Sequence, residues 1–317
     1  MERARFRELD PNLKVANRGD GRRNRVKNDS RASVLRRWML DRFGLEALRQ
    51  GSGILDVAGG KGDLAWELLN LNGVPATVLE PRPLDLKQCT RRFRYGLYWR
   101  NPLFHSYLHC AHDPNAPTAP PLHLRLLLDA QVLAAATADE GAAGDRPPWP
   151  DEFASGCRRA RALRWTRKGL HEDEQAEDVE ELADSDGETQ DGAAGGGDGD
   201  GRPIADAAEA LTLLRTCAAV VALHPDQAAE FAIRFALALR RPFAVVPCCV
   251  YAAEFPRRRL PRTGAPVRTY EDLLEFLQGL SPGIRRENLD FEGKRAVLFM
   301  TPADLEGASP AEGRDAA

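Results

Sequence analysis

The sequence contains no long apolar run and few cysteines. None of its 317 residues lies in a stretch approaching the roughly 20 apolar residues that a membrane helix needs, and the segment from Met1 to Arg5 has no apolar core of a signal peptide. Six cysteines, two of them adjacent at Cys248 and Cys249, are too sparse for a secreted disulfide scaffold and predict free thiols. No repeat of solenoid period is present. We therefore expect an intracellular protein, cytoplasmic or nuclear, without a membrane partner.

Opposite charges collect in different stretches, although the formal net charge is only −3. The first 31 residues are strongly basic, whereas residues 171–203 are acidic and Gly-rich and match the composition of disordered chains. We predict a basic arm over residues 1–31 and one domain over 32–302. An acidic, Gly-rich, disordered insertion at about 140–203 interrupts that domain, and a flexible tail follows over 303–317.

The spacing of apolar residues predicts an α/β fold. Residues 32–43 form an amphipathic helix with Arg36 and Arg37 opposite its apolar side, and a strand is predicted around Leu103 and Phe104. Alternating apolar strands and amphipathic helices indicate a doubly wound, Rossmann-like, mostly parallel sheet covered on both faces. The predicted strands are 54–58, 76–80, 218–223, 243–246 and 295–299, and the later helices are 63–69, 122–138, 205–216, 227–239 and 270–279.

A glycine-rich turn follows the first of these strands. Residues 56–62 read D-V-A-G-G-K-G, and a helix that Asp63 could cap comes next. Such a turn lets a ligand approach the backbone, and the helix amino terminus offers free N–H groups. The P-loop and G-x-G-x-x-G patterns do not fit, but Asp56 is followed 24 residues later by Glu80 at the end of the next strand. An acid at about this distance commonly binds ribose hydroxyls, while a tight turn that binds nothing stays open as the alternative.

The segment I-L-D-V-A-G-G-K-G-D-L at 54–64 resembles the first motif of class I S-adenosylmethionine-dependent methyltransferases, and Glu80 resembles their second. Ala58 stands where that family usually has Gly. The resemblance implies that Gly60 and Gly62 approach the methionine part, that Asp56 holds its ammonium group directly or through water, and that Glu80 accepts the ribose hydroxyls. The implied cofactor-binding residues are Asp56, Ala58, Gly59, Gly60, Gly62, Asp63 and Glu80.

Two further segments, L-H-P-D-Q at 223–227 and P-C-C at 247–249, are similar to a methyltransferase-like subfamily that includes RNA-methylase-like proteins. That subfamily usually carries L-H-x-C-G where this chain has L-H-P-D-Q at 223–227. The likeness covers about 33–91 and 205–300. It implies a methyltransferase that uses S-adenosyl-L-methionine. For the acceptor, the basic stretches of the chain favour RNA slightly over protein or a small molecule. The alternative is a catalytically inactive scaffold or interaction protein.

The loops after the later strands supply the candidate catalytic residues. His224 could take a proton from the attacking group, with Asp226 orienting it, or it could cap the following helix; both interpretations stay open. Pro247, Cys248 and Cys249 are candidates for the substrate side of the site. A Cys248 thiolate could attack a pyrimidine ring, although free cysteines are more often small buried hydrophobes.

Two other clusters are left open. A zinc site at His105, His109, Cys110 and His112 is weighed against ordinary loop residues, and we assign no metal site. The stretch from Arg91 to Arg100 mixes arginines with aromatic rings, which is typical of single-stranded RNA surfaces and also of solvated charged faces. RNA bound through this stretch and the basic arm therefore stays open as a partner, beside the alternative of a solvated charged surface.

Overall fold

The computed structural model describes residues 28–138, 148–162 and 201–307. Within that part of the chain, no helix combines the length and the apolar composition needed to cross a membrane. The α-helices are α1 (Asn28–Phe43), α2 (Leu45–Leu48), α3 (Asp63–Asn72), α4 (Lys87–Arg94), α5 (Ala130–Thr137), α6 (Trp149–Ala162), α7 (Ala207–Thr216), α8 (Ala229–Ala238), α9 (Tyr270–Gln278) and α10 (Pro302–Gly307). The strands are β1 (Ile54–Val57), β2 (Ala76–Leu79), β3 (Leu122–Leu124), β4 (Arg202–Pro203), β5 (Ala219–Leu223), β6 (Phe243–Val246), β7 (Arg285–Asn288) and β8 (Ala296–Met300).

The eight strands form one sheet in the order β4-β3-β2-β1-β5-β6-β8-β7. The six strands from β4 to β6 are parallel, and β8 pairs antiparallel with both β6 and β7. Strands β1, β2 and β6 are buried at every position, since helices cover both faces of the sheet. The predicted α/β, Rossmann-like, mostly parallel sheet is confirmed.

Neighbouring residues of β1 divide the core between the two faces. Leu55 belongs to the apolar cluster that includes residues of helices α5 to α9, whereas Ile54 belongs to the cluster that includes residues of α1 and α3. A third apolar cluster joins α3 to α4 around Trp66, which is 1% exposed. The chain runs outward from β1 through β2, β3 and β4 and then returns to β5 on the other flank of β1. Ligands of open α/β sheets bind at such a reversal, outside the carboxyl ends of the strands.

Helix α1 corrects the predicted orientation of Arg36. We expected this side chain opposite the apolar face, but it is 2% exposed and faces α3. Its guanidinium donates to the Glu67 carboxylate at 3.2 Å and to Asn72 Oδ1 at 2.9 Å. A buried charge persists only where such partners compensate for lost hydration, and these partners lie more than 30 residues away in the sequence. Helix α1 also begins at Asn28, inside the range assigned to the basic arm.

The middle of the domain departs most from the predictions. The predicted strand around Leu103 and Phe104 is wrong, because a 3₁₀ helix runs over Pro102–Tyr107 after the Asn101 side chain accepts from Leu103 N. The single helix predicted over 122–138 is wrong as well. It divides into β3 and α5, since the Asp129 side chain accepts hydrogen bonds from Gln131 N and Val132 N and thereby starts α5.

The range assigned to a disordered insertion, 140–203, contains ordered structure. Helix α6 buries Trp149 and Phe153 in the core beneath the sheet, and the Trp149 indole donates to Ala207 O at 2.6 Å. Strand β4 pairs with β3 at the sheet edge. Residues 163–200, which hold most of the acidic stretch, lie outside the described residues. In the predicted tail, α10 extends to Gly307 and the remainder is likewise outside.

Candidate functional site

Four loops meet at the carboxyl edge, our name for the side of the sheet at which the parallel strands end. They follow β1 (residues 58–62), β2 (80–86), β5 (224–228) and β6 (247–251). Because β2, β1, β5 and β6 are successive parallel neighbours, these loops lie side by side. The carboxyl edge therefore brings together most of the residues that the sequence predicted for cofactor and catalysis.

Backbone strain concentrates at this edge. Non-glycine residues rarely adopt positive φ, and each costs on the order of 1–3 kcal/mol unless the surroundings enforce it. Within the described residues, four of the five such positions lie in these loops, the exception being Arg240. Strain of this kind clusters at functional sites. The four are Ala58 (φ 52°), His224 (54°), Asp226 (49°) and Tyr251 (52°).

The loop after β1 has the shape that its glycines predict. Gly60 and Gly62 are left-handed, with φ of 59° and 87°, and Ala58 takes the same conformation despite its Cβ. A Cβ at Gly59 would lie 2.7 Å from the Asp56 carboxylate, so this position requires glycine. A Cβ at Gly60 would meet nothing within 4 Å. The loop thus has a packed side and, at Gly60, an open side that a ligand can approach.

Asp63 lies beside this loop but does not cap helix α3. The N-cap is Gly62, which makes no side-chain hydrogen bond, and Asp63 is the first residue of the helix. Its carboxylate accepts instead from the Cys89 thiol of α4 at 3.0 Å. The predicted cap is therefore wrong, because a left-handed glycine already ends the loop at that point.

Asp56 is a buried acid without a hydrogen-bond partner. The residue is 1% exposed, and neither carboxylate oxygen has a partner. Burial, and after it the charge of the neighbouring Glu80 carboxylate, raise the pKa of this carboxyl from its usual 3.8 to about 8. The backbone N–H of Ala65, in the first turn of α3, lowers it only partly and is not placed for an ordinary hydrogen bond. Buried polar atoms of this kind are rare and call for an explanation.

Glu80 points at the glycine loop from the end of β2. Its carboxylate accepts from the backbone N–H of Gly60 at 2.9 Å, which places it beside the open side of the loop. It also accepts from the backbone N–H of Arg82 at 3.0 Å and from the Arg82 guanidinium at 2.8 and 3.1 Å. Glu80 is 1% exposed, whereas the Arg82 side chain is 43% exposed. The guanidinium of Arg82 therefore occupies the hydrogen-bonding positions that ribose hydroxyls would need.

His224 follows β5 at the edge, but both of its ring nitrogens are engaged. Nε2 lies 2.9 Å from the carbonyl oxygen of Lys294, which can only accept, so this nitrogen carries the proton. Nδ1 therefore accepts from the Arg31 guanidinium at 3.2 Å. Burial lowers the pKa of His224, and Arg31 lowers it further. The ring is neutral and links β5 to α1. Its contacts therefore match neither of the two interpretations, in which Asp226 orients the ring or the ring caps the following helix.

Asp226, Cys248 and Cys249 form a thiol–carboxylate cluster between the loops after β5 and β6. The Cys248 thiol donates to Asp226 Oδ1 at 3.4 Å, and the Tyr251 hydroxyl hydrogen-bonds Asp226. The hydrogen bond between the two thiols raises the pKa of Cys248 and lowers that of Cys249. A nucleophilic thiolate in this loop would therefore be Cys249 rather than Cys248. Pro247 is buried and supports the loop by accepting from the Tyr270 hydroxyl at 3.3 Å.

The two loops on either side of β1 interact. Asp226 is close enough to Arg82 for its charge to raise the pKa of that guanidinium, although the hydrogen bond to Glu80 is the larger cause. Arg31, Arg82 and Tyr251 are the residues of this edge that the sequence did not reveal. Only Arg82 carried a local signal, since it stands two positions after a predicted ligand-binding acid.

The histidine-rich segment does not converge on a metal site. His105 Nε2 lies 2.8 Å from Trp99 O, His112 Nε2 2.9 Å from Phe93 O, and His109 Nδ1 2.8 Å from the Asn72 amide. Each ring therefore contacts a different part of the fold. In the described chain, the group of three metal-ligating side chains that does converge is the thiol–carboxylate cluster.

The basic and aromatic stretch packs largely inward. Phe93 and Tyr98 are 6% and 8% exposed and contact Trp66, so their faces do not form an open stacking platform. Arg92 lies over the Tyr98 ring at 4.7 Å. Tyr95, at 62% exposure, is the aromatic side chain of this stretch that is well placed for contact with a partner.

Comparison with known proteins adds no relative. No family model, no curated protein and no solved structure matches this chain.

Proposed function

We propose that this protein is an S-adenosyl-L-methionine-dependent methyltransferase that binds its cofactor at the carboxyl edge. The observation that carries the proposal is Asp56, a buried carboxyl with no partner beside a glycine loop whose open side is at Gly60. A buried unpaired acid costs stability, and a bound ammonium group would supply the missing partner. The position of the loop at the chain reversal between β1 and β5 agrees with this role.

Each loop residue would have a distinct part in holding the cofactor. Asp56 would bind the ammonium group directly or through water, and the open side of Gly60 would admit the methionine part. Glu80 would accept the ribose hydroxyls. The cofactor itself supplies an electrophilic methyl group, and the loops after β5 and β6 would orient the acceptor and exclude water from it.

Arg82 must leave Glu80 before a ribose can bind there. Its side chain is long and 43% exposed, so it can turn outward without disrupting the core. The Gly60 N–H would then remain on the carboxylate while hydroxyl groups replace the guanidinium. Arg82 would become available to pair with Asp226, the other acid that attracts it.

The same contact favours a second candidate function. Because Glu80 already has its hydrogen-bonding capacity filled by Gly60 and Arg82, the site resembles one that has closed on itself. A protein of this kind would be a catalytically inactive scaffold or interaction protein. The two candidates differ in whether ligand binding displaces Arg82.

The acceptor that we favour is RNA. The basic character of residues 1–31 and of the stretch from Arg91 to Arg100 supports it, since arginines supply sequence-independent affinity for phosphates. The buried faces of Phe93 and Tyr98 leave this contact mainly electrostatic. We expect RNA binding to weaken steeply as salt concentration rises.

Binding of S-adenosylhomocysteine, measured by isothermal titration, tests the site. Gly60→Arg places a long side chain in the open space beside the loop, and we expect at least about tenfold weaker binding, a loss of about 1.4 kcal/mol or more. Gly264→Arg is the matched control, because Gly264 also has positive φ (68°), and a Cβ added there would meet nothing within 4 Å. Equal binding by both variants, or no binding by the wild-type protein, would refute the proposed cofactor site.

Methyl transfer separates the two candidate functions. Purified protein with radiolabelled S-adenosylmethionine is incubated with RNA, protein and small-molecule fractions of a cell extract. Label in RNA that disappears with Gly60→Arg and persists with Gly264→Arg supports the enzyme. No label in any fraction, together with no binding of S-adenosylhomocysteine by the wild-type protein, supports the closed scaffold instead.

A further inference from the structure

The thiol–carboxylate cluster has no part in the proposed cofactor contacts. The Asp226 carboxylate and the Cys248 and Cys249 sulfurs all lie within 4.8 Å of one another. The contact from Cys248 Sγ to Asp226 Oδ1 is 3.4 Å. Three metal-ligating groups from two different loops therefore converge at one point of the carboxyl edge.

The backbone around the cluster is shaped to achieve this convergence. Successive side chains of a strand point in opposite directions, so adjacent cysteines in β6 would diverge. The strand ends at Val246, so Cys248 and Cys249 lie outside it, and both of their sulfurs are within 4.8 Å of the Asp226 carboxylate. Asp226 and Tyr251 are held at φ of 49° and 52°, at a cost on the order of 1–3 kcal/mol each. Packing of small hydrophobic side chains would not require this arrangement.

The donor set selects a class of metal ion. Two thiolates and one carboxylate suit Zn²⁺, whereas Mg²⁺ and Ca²⁺ require oxygen ligands. In a tetrahedral zinc site, bonds of about 2.3 Å to sulfur and about 2.1 Å to oxygen place the donors about 3.6 Å apart. The contact between Cys248 and Asp226 already has nearly this length, and the remaining separations, none above 4.8 Å, need to shorten by about 1.2 Å at most.

We propose that Asp226, Cys248 and Cys249 bind one zinc ion at the carboxyl edge. Three protein ligands leave the fourth position of a tetrahedral zinc open, as in catalytic zinc sites. That position would take water or a polar group of the molecule that occupies the edge. The Tyr251 hydroxyl, bonded to Asp226, would orient the carboxylate from outside the first coordination sphere.

The proposal goes beyond the methyltransferase function and does not depend on it. Zinc binding is measured on the full chain, reduced and freed of metal, without S-adenosylmethionine. A chromophoric chelator competes for added Zn²⁺, and Co²⁺ in place of zinc reports thiolate coordination through its charge-transfer and tetrahedral d–d absorption. We expect one tightly bound zinc per chain and a Co²⁺ spectrum with thiolate bands.

Ligand variants decide the location of the metal. Cys248→Ser/Cys249→Ser and Asp226→Asn should each weaken zinc binding at least about 100-fold, since even outer-shell changes weaken such sites 10- to 100-fold. Cys110→Ser, at a half-buried cysteine in the histidine-rich segment, is the control and should bind zinc as the wild-type protein does. Thermal melting of the metal-free proteins checks that each variant is folded. Should the double serine variant misfold, Asp226→Asn still tests the site, because this side chain is exposed.

Three results would overturn the proposal. The first is that the protein binds no zinc in competition with the chelator. The second is undiminished binding by the folded ligand variants, and the third is loss of binding in Cys110→Ser, which would place the metal in the histidine-rich segment. None of these outcomes bears on binding of S-adenosylhomocysteine at Gly60, so the two proposals fail separately.

Discussion

Replacement of Asp56 by asparagine should change how the stability of the protein depends on pH. The carboxyl has a pKa of about 8 in the folded protein and an ordinary value of 3.8. Between these values the unfolded chain is ionised at this residue while the folded protein keeps the proton. The folded state therefore binds more protons, so its stability is greatest below the unfolded pKa and falls as pH rises, until the decrease ends above about pH 8.

The magnitude follows from the size of the shift. Each pH unit inside the window costs about 1.4 kcal/mol, so a rise from about pH 5 to about pH 8 removes up to about 4 kcal/mol from this one group. Relaxation of the site and entry of water reduce the effect, and we expect at least about 2 kcal/mol. The Asp56→Asn variant lacks the titration, although its buried amide costs about 1–3 kcal/mol at every pH. The informative quantity is therefore how the difference in free energy of unfolding between Asp56→Asn and the wild-type protein changes with pH.

Urea unfolding of both proteins at several pH values measures this quantity. The free energy of unfolding of Asp56→Asn relative to wild type should rise by at least about 2 kcal/mol between about pH 5 and about pH 8. Asp85→Asn is the matched control, because this carboxylate lies in a neighbouring loop, is 52% exposed and contacts Lys61 only at 3.7 Å. Its difference from wild type should stay within about 0.5 kcal/mol. Parallel curves for wild type and Asp56→Asn would refute the claim that Asp56 is buried and unpaired.

Two further variants test other parts of the structure. Arg36→Ala leaves Glu67 buried without its charge partner and should lower the free energy of unfolding by about 3–5 kcal/mol. Arg42→Ala is the control, because this side chain is 48% exposed, and it should lower the free energy of unfolding by less than about 1 kcal/mol. Equal losses for the two variants in urea unfolding would contradict the buried network. His224→Ala should lower stability by about 1–2 kcal/mol, because it removes the links to Arg31 and to the Lys294 carbonyl, while leaving methyl transfer within a few-fold of wild type. If His224→Ala instead slowed methyl transfer a hundredfold or more without lowering stability, His224 would have to act as the catalytic base.

Local patterns predicted the elements that position the candidate site. The apolar run at 54–58, the glycines after it and the second run at 76–80 define a strand, a turn and a strand whatever the rest of the chain does. Buried parallel strands have no polar face, so their sequence signal is continuous and easily read. The left-handed glycines Gly60 and Gly62 follow from the same segment, because few other residues adopt that conformation.

Short elements in polar surroundings were not predictable in this way. Strand β4 has two residues and exists because β3 offers it an edge, and β7 is mostly exposed with the sequence R-R-E-N. The helix predicted over 122–138 failed because leucine and alanine occur in both buried strands and helices. Pairing with β2 decides in favour of a strand at Leu122–Leu124, and the Asp129 cap then sets where α5 begins.

The sequence by itself determined the βαβ order, the glycine turn and the placement of Asp56 and Glu80 at the ends of neighbouring strands, since each depends on residues close together in the chain. Tertiary structure decided the partners of the charged groups. Arg31 lies 193 positions from the His224 ring that it contacts, and Arg36 is buried because Glu67 and Asn72 on another helix accept its hydrogen bonds. A charge takes its protonation and its partners from whatever folding brings near it, and no pattern of neighbouring residues contains that information.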